Sequence, residues 1–163
     1  MLLDRHWVLT FPNARYLFAR SDREHWNANE DETVYGPVLA ESVRPVVAAG
    51  LVDLVEMEHQ VCSQACLGPT PGHIPEHMSL HIRSAGAEAL ITGDCMHHPV
   101  QMTQPDWCSS ADVDQAQGLK TREALLQQYV DDEILIIGMH FAPLTAGRIK
   151  HLEGGGYFLG VFR

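Results

Sequence analysis

The stretch from residue 70 to residue 98 limits the possible folds of this chain more than any other segment. It reads TPGHIPEHMSLHIRSAGAEALITGDCMHH, which predicts a turn, a strand, a tight connection, a second strand and another turn. The strands are predicted at residues 78–82 and 88–92, with the connection at Ser84-Ala85-Gly86. Strands joined in this way pair side by side, so the two outer turns lie at the same end of the pair. The first turn carries histidines and the second a carboxylate followed by two histidines, so imidazole and carboxylate groups are expected to meet there.

The segments on either side alternate between strand and helix patterns, which predicts an α/β or layered α/β fold. The apolar, β-branched run at residues 134–138 is expected to be a central buried strand. A capping-box pattern begins at Ser21 and predicts a short helix through Trp26. Pro45 is expected to kink the helix in which it lies. Further strands are predicted at residues 14–19, 51–57, 60–67 and 157–162, helices at residues 38–49 and from Asp112 or Asp114 to about residue 130, and a loop at residues 98–110.

A residue of the metal-ligand type follows an apolar strand in three places. His73 lies in the turn after Leu67, Asp94 follows the second strand of the pair, and His140 follows the run at residues 134–138. Loops that leave a sheet edge often carry function, because the sheet fixes where they begin. Imidazole nitrogens and carboxylate oxygens are donors that a zinc-like divalent ion accepts. The pattern therefore favours a metal site at these strand ends, beside the alternative that each residue is structural.

The composition excludes several classes of partner and setting. With 163 residues, 45% hydrophobic and 20% charged, the chain is expected to form one folded domain over residues 1–163. The formal net charge of −10 argues against binding to nucleic acid or to an anionic membrane. No apolar run is long enough to span a bilayer, and the N-terminus, with Asp4 and Arg5, does not have the pattern of a signal peptide. Four cysteines are few for this length, which predicts a cytoplasmic location.

Three segments resemble the second half of a metallo-β-lactamase-fold hydrolase, in the branch of lactonases and organophosphate hydrolases. They are PTPGHIPEHMSLHI, ALITGDCMHHPVQ and IGMHFAPLTAGRI, and they occur in the order found in that family. The resemblance extends from FPNARYLFAR to the final predicted strand. It implies a partial αββα sandwich, the C-terminal portion of the fold, in which the N-terminal half-sheet is missing.

The resemblance also implies a role for each of the three strand-end residues. His73 matches a metal-binding histidine, Asp94 matches a catalytic carboxylate that bridges two metal ions, and His140 matches a ligand of the second ion. The implied reaction is hydrolysis of a small-molecule ester, lactone or phosphotriester by metal-activated water, with zinc as the expected divalent ion. Phe141 and Arg148 are expected to edge the substrate pocket. His98 is expected to orient a ligand, with a hydrogen-bonding role in the loop as the alternative.

One departure from the family pattern weakens the expectation of activity. The HxHxDH motif, which supplies the family's other ligands, is absent, and the sequence contains no His-x-His. Two ions would then have two ligands each, whereas one ion held by all three residues would have the usual number. The rival expectation is an inactive, truncated homologue that associates with itself or with a separate N-terminal half. A metal-independent binding module is a third alternative. His77 and His81 are expected to share one face of a strand as structural residues.

Overall fold

The computed structural model describes residues 2–3, 6–21, 36–143 and 145–161. The chain divides into two compact units, Met1–Glu56 and Met57–Arg163. The short helix predicted to follow Ser21 and to continue through Trp26 lies outside the described residues. None of the helices in the described ranges is both long and apolar enough to span a bilayer.

The first unit is built around two parallel strands. Strands β1 (Leu2–Leu3) and β2 (His6–Trp7) form a short antiparallel pair. Strand β3 (Tyr16–Ala19) pairs in parallel with β4 (Val52–Val55), so both predicted strands are confirmed with shorter bounds. Arg15, the residue before β3, donates from its guanidinium Nε to the carboxylate of Asp53 in β4 at 2.8 Å.

The helical segment between these strands changes type along its length. It runs as α1 (Gly36–Val38), a π-helical turn (Leu39–Val43) and α2 (Arg44–Ala48). Pro45 has no backbone N–H, so it cannot continue the regular hydrogen-bond ladder, and the irregular turn lies directly before it. The helix predicted at residues 38–49 is therefore irregular before Pro45, where a π-helical turn interrupts the α-helix. Gly50, at φ +68°, follows the helix.

The second unit contains a seven-stranded sheet in the order β11-β10-β9-β8-β7-β6-β5. Neighbouring strands are antiparallel except β8 and β9, which are parallel. Because β8 and β9 run in the same direction, the residues that follow them leave the sheet at the same edge. The strands are β5 (His59–Cys62), β6 (Ala65–Pro69), β7 (Met78–Ser84), β8 (Ala87–Ile91), β9 (Leu135–Ile137), β10 (Ala146–His151) and β11 (Tyr157–Gly160).

The predicted hairpin is confirmed, and a second one was missed. Ala85 and Gly86 form the two-residue turn between β7 and β8, with φ values of +51° and +79° that suit a type I′ turn. The single strand predicted at residues 60–67 is wrong, because the chain reverses at Ser63 and Gln64 to make β5 and β6. This turn contains no glycine, proline, asparagine or aspartate, and Ser63 is a weaker signal for a reversal.

Two helices cover one face of the sheet in this unit. Helix α3 (Val100–Thr103) lies within the segment predicted to be a loop, which corrects that prediction. Helix α4 (Gln115–Tyr129) begins at Asp114, whose side chain accepts a hydrogen bond from the N–H of Gln117 at 2.9 Å. The core between helices and sheet contains buried residues from both, among them Leu90, Met102, Leu125, Leu126, Ile136 and Ile149.

Candidate functional site

The three residues that follow strand ends lie together at one edge of the sheet. His73 comes from the turn between β6 and β7, Asp94 from the 3-10 turn Gly93–Cys95 after β8, and His140 from the loop after β9. The Asp94 carboxylate contacts both histidines through different oxygens. Oδ1 lies 2.7 Å from His140 Nε2, and Oδ2 lies 3.7 Å from His73 Nε2. The side chains are 16% (His73), 38% (Asp94) and 53% (His140) exposed, so the cluster opens to solvent on the His140 side.

A fourth residue, His97, lies among these three. Its ring centroid is 5.0 Å from that of His73 and 5.1 Å from that of His140, on which it stacks at 14°. Its backbone N–H donates to Oε1 of the buried Gln101 at 2.7 Å. Its Nδ1 is buried and has no hydrogen-bond partner among the described residues. From the sequence, a site role was expected for the neighbouring His98 and none for His97, so this position was missed.

Two overlapping groups of side chains in this cluster have the donors and spacing to hold a metal ion. One group is Asp94, His97 and His140, and the other is His73, His97 and Asp112. Within each group the candidate ligand atoms lie within 4.8 Å of one another. Imidazole nitrogens and carboxylate oxygens of this kind suit zinc and related divalent ions.

Asp112 fixes the orientation of His73. Its side chain is 1% exposed, and Oδ1 lies 3.0 Å from His73 Nδ1. An ionised carboxylate can only accept, so the imidazole proton belongs on Nδ1 and the lone pair of Nε2 faces Asp94. This arrangement of carboxylate and histidine is the one that commonly supports a metal-binding imidazole.

A buried arginine supplies the counter-charge for Asp112. Arg122, on helix α4, is 1% exposed, and its Nη1 lies 3.6 Å from Asp112 Oδ2. The guanidinium also donates to the carbonyl of Pro105 at 2.8 Å and to the sulfur of Cys108 at 3.0 Å. The pair therefore ties helix α4 and the loop before it to the turn that carries His73.

His77 supports the Asp94 backbone. Its Nε2 accepts a hydrogen bond from the Asp94 N–H at 2.9 Å, while Nδ1 lies 2.8 Å from the hydroxyl oxygen of Thr70. The Thr70 hydroxyl also contacts the buried Ser79 hydroxyl at 2.9 Å. His77 lies in the turn before β7, as the predicted turn and strand bounds imply, so it does not share a strand face with His81. A methyl group at Gly93 would lie 2.6 Å from Nε2, so a side chain there would displace this support.

The buried position of His77 leads to a pH-dependence of stability. Burial lowers the pKa of His77, with repulsion from His73 as a smaller cause in the same direction. The unfolded chain, with a histidine pKa of about 6.5, therefore binds a proton at a higher pH than the folded chain does. The free energy of unfolding should therefore fall as the pH drops below about 6.5. His77 contributes no further loss once the pH is below its pKa in the folded state.

Substitution of His77 tests this prediction. We expect His77→Gln to show a shallower loss of stability than wild type between about pH 7.5 and pH 5.5, because glutamine does not titrate. Urea unfolding of metal-free protein in a chelating buffer, measured by circular dichroism at several pH values, gives both slopes. Equal slopes for wild type and His77→Gln would contradict the assignment.

Three other residues predicted for the site lie in different surroundings. His98 is exposed, and its Nδ1 accepts from the N–H of Val100 at 3.0 Å, at the start of α3. Phe141 is 4% exposed within the hydrophobic core, where its ring occupies the space that a side chain at residue 138 would need. Arg148 pairs with Glu133 at 3.0 Å, where β9 begins, whereas the cluster lies where β9 ends. The structure thus places Phe141 in the core and Arg148 away from the predicted pocket edge.

Comparison with known proteins finds similarity in structure alone. No family model matches the sequence, and no curated protein matches it. A hydrolase of the beta lactamase superfamily, AbOPH, is 18% identical with a TM-score of 0.82, covering 96% of this chain and 58% of that protein. The dizinc quorum-quenching lactonase AidC is 20% identical with a TM-score of 0.78, and the match covers 99% of this chain and 60% of AidC. A probable metal-dependent hydrolase from Staphylococcus aureus is 16% identical with a TM-score of 0.68, and the match covers 94% of this chain and 55% of that protein. This chain therefore spans little more than half the length of these proteins.

Proposed function

We propose that this chain, whose described part has the metallo-β-lactamase fold, is a metal-dependent hydrolase with its metal centre at His73, Asp94 and His140. The observation that carries the proposal is the contact of one carboxylate with two imidazoles from separate loops. Such a convergence at the edge of a sheet is what a metal centre needs, and it has no evident structural purpose in a solvent-open position.

The donors present fit a divalent ion. The two Asp94 oxygens face different histidines, and the Asp112 carboxylate orients His73 so that its Nε2 lone pair faces the cluster. Zinc is the ion that this mixture of nitrogen and oxygen donors suits best, although other first-row ions accept the same donors. The dizinc lactonase among the similar structures supports the same choice.

The surroundings of the cluster favour an uncharged substrate with an apolar part. A divalent ion would supply Lewis acidity and would lower the pKa of a bound water. The net charge of −10 disfavours anionic substrates, whereas esters, lactones and phosphotriesters are neutral at the reacting group. Two exposed apolar residues are sequence neighbours of residues in the cluster. Met139, 65% exposed, precedes His140, and Val113, 53% exposed, donates its N–H to the carbonyl of His73.

A hydrolysis assay tests the proposal. Protein purified without a histidine tag and reconstituted with zinc should hydrolyse a lactone or an aryl phosphotriester. His140→Ala should lose about a hundredfold of that activity or more, because loss of a ligand costs at least as much as loss of an outer-shell partner. His151→Ala is the matched control, since His151 is an exposed histidine on β10 that contacts Asp131. No hydrolysis by reconstituted wild type, or equal rates for wild type and His140→Ala, would contradict the proposal.

The second candidate function is association without catalysis, either with another copy or with a chain that supplies the rest of the fold. Two observations favour it. The chain spans only 58% and 60% of the two proteins described first. A row of partly buried aliphatic residues, Leu67, Leu80, Ile91 and Ile137, also crosses one face of β6 to β9. If reconstituted wild type shows no hydrolysis, light scattering on that protein should reveal a defined oligomer. A monodisperse monomer at high concentration would count against this candidate.

A further inference from the structure

We infer that His97 is a metal ligand, which makes the centre a one-ion site held by Asp94, His97 and His140. The inference rests on the proposed function, because it assumes that an ion binds at this cluster. Its starting point is the number of ligands. Divided between two ions, His73, Asp94 and His140 leave each ion with one histidine and a share of Asp94, whereas a catalytic zinc ion normally has three protein ligands.

His97 offers a third donor in one group with Asp94 and His140. The His97 ring stacks on His140 with a centroid distance of 5.1 Å, and candidate ligand atoms of His97, His140 and Asp94 all lie within 4.8 Å of one another. Donors about 2.0–2.1 Å from a tetrahedral ion are roughly 3.3 Å apart, so a small inward rotation brings the three into range. His140 and Asp94 can make that movement, because their side chains are 53% and 38% exposed.

The backbone around His97 is held in place, while Nδ1 of its ring has no hydrogen-bond partner among the described residues. The Gln101 side chain, 4% exposed, accepts from the His97 N–H at 2.7 Å and donates to the Trp107 carbonyl at 2.7 Å. Among the described residues, nothing hydrogen-bonds to the buried His97 Nδ1. A buried polar atom without a partner is unfavourable, and coordination of an ion through Nδ1 would offset that cost.

Asp112 is a poorer ligand than Asp94 for an ion that His97 binds. One Asp112 oxygen already contacts His73 Nδ1, and the other accepts from the Ser109 N–H at 3.1 Å and faces Arg122. Its side chain is 1% exposed, so it cannot turn toward an ion without leaving the arginine buried and unpaired. The ion therefore belongs with Asp94, and His73 faces the second oxygen of that carboxylate.

His98 provides a matched control for His97. It is the next residue in the chain, and its N–H also donates to Gln101, at 3.1 Å. Its ring differs, because it is exposed and its Nδ1 accepts from the Val100 N–H. Removing either imidazole changes the same loop, but only one of them faces the cluster.

The test measures metal binding by the full, untagged chain. Zinc affinity from competition with a chromophoric chelator should fall about tenfold to a hundredfold or more in both His97→Ala and His97→Gln. His98→Ala should keep the wild-type affinity. Wild type should bind one ion per chain, and its cobalt(II) absorption bands should change in the His97 variants and not in His98→Ala. Circular dichroism of the metal-free variants checks that each is folded.

The possible results separate the inference from the proposed function. Wild-type affinity in folded His97→Ala and His97→Gln would overturn the inference and leave the proposed function standing. Two ions per chain in wild type would also overturn the inference. Failure of wild type to bind zinc, cobalt, manganese or iron would remove the proposed function and the inference with it.

Discussion

Replacing Asp112 by alanine is expected to lower the free energy of unfolding by about 3–5 kcal/mol, because it breaks a buried ion pair and leaves the partner charge in the protein interior. Both side chains of the Asp112–Arg122 pair are 1% exposed. The guanidinium keeps its hydrogen bonds to neutral acceptors in the variant, but none of these carries the negative charge that Asp112 provides. His73 also loses the acceptor of its Nδ1 proton, so the imidazole that faces the second oxygen of Asp94 is no longer held in its orientation.

Asp114→Ala is the control for this prediction. Asp114 lies two residues further on and caps helix α4 from an exposed position, so its loss should cost about 1 kcal/mol. The double variant Asp112→Ala, Arg122→Met should recover part of the loss, because an apolar side chain needs no counter-charge. Chemical unfolding followed by circular dichroism gives all three values. A cost for Asp112→Ala no larger than that of Asp114→Ala would show that the pair is not the support described here.

Gly72→Ala is expected to be similarly damaging, lowering the free energy of unfolding by about 3–5 kcal/mol from overpacking and backbone strain together. Gly72 is buried at φ +136°, and a β-carbon there would overlap the backbone of Gly118 in the first turn of α4. The turn is fastened to that helix, because the Pro71 carbonyl accepts from the Thr121 hydroxyl at 2.6 Å and the Gly72 carbonyl from the Asp114 N–H at 3.0 Å. Relieving the overlap would break these bonds and move His73.

Gly86→Ala separates the two causes. Gly86 also has a positive φ, +79°, but a β-carbon there would have no neighbour within 4 Å. Only backbone strain should then appear, at about 1–2 kcal/mol. Thermal and urea unfolding of both variants measure the difference. Equal costs at the two glycines would contradict the close contact between the turn and helix α4.

Local patterns predicted much of the fold. The β7–β8 hairpin followed from Ala85-Gly86 between two apolar runs, and helix α4 from a capping aspartate before a periodic segment. The β-branched run at residues 134–138 gave a strand next to the centre of the sheet. These features depend on neighbours in sequence, which is why they could be read from it. The reversal at Ser63-Gln64 depends on pairing of β6 with β7, and serine is only a weak local signal for a turn.

The candidate site was only half predictable for the same reason. His73, Asp94 and His140 follow strand ends, and strand ends have a sequence signal. The contact between Asp112 and His73 spans 39 residues and depends on how helix α4 packs, so no local pattern contains it. His97 and His98 are the same residue type side by side, and the bonds to Gln101 and Val100 decide which ring faces the cluster.

One missed residue did have a signal. Arg122 lies three and four positions before Leu125 and Leu126, on the face of α4 that the helical period makes buried. A charged residue on an apolar helix face needs a buried partner, and the nearby aspartates were the available candidates. Phe141 had no such signal, since its burial follows from the space left by Gly138.

The most direct test of the account is the metal content of untagged protein after dialysis against zinc and removal of excess ion. We predict about one equivalent of zinc per chain in wild type and less than about a tenth in Asp94→Ala, because Asp94 is the carboxylate ligand of the proposed site and contacts the imidazoles of His140 and His73. Asp106→Ala, at an exposed aspartate in the loop after α3, should retain the wild-type content. Less than about a tenth of an equivalent in wild type, with zinc or with manganese, iron or cobalt in its place, would contradict a metal centre at this edge of the sheet.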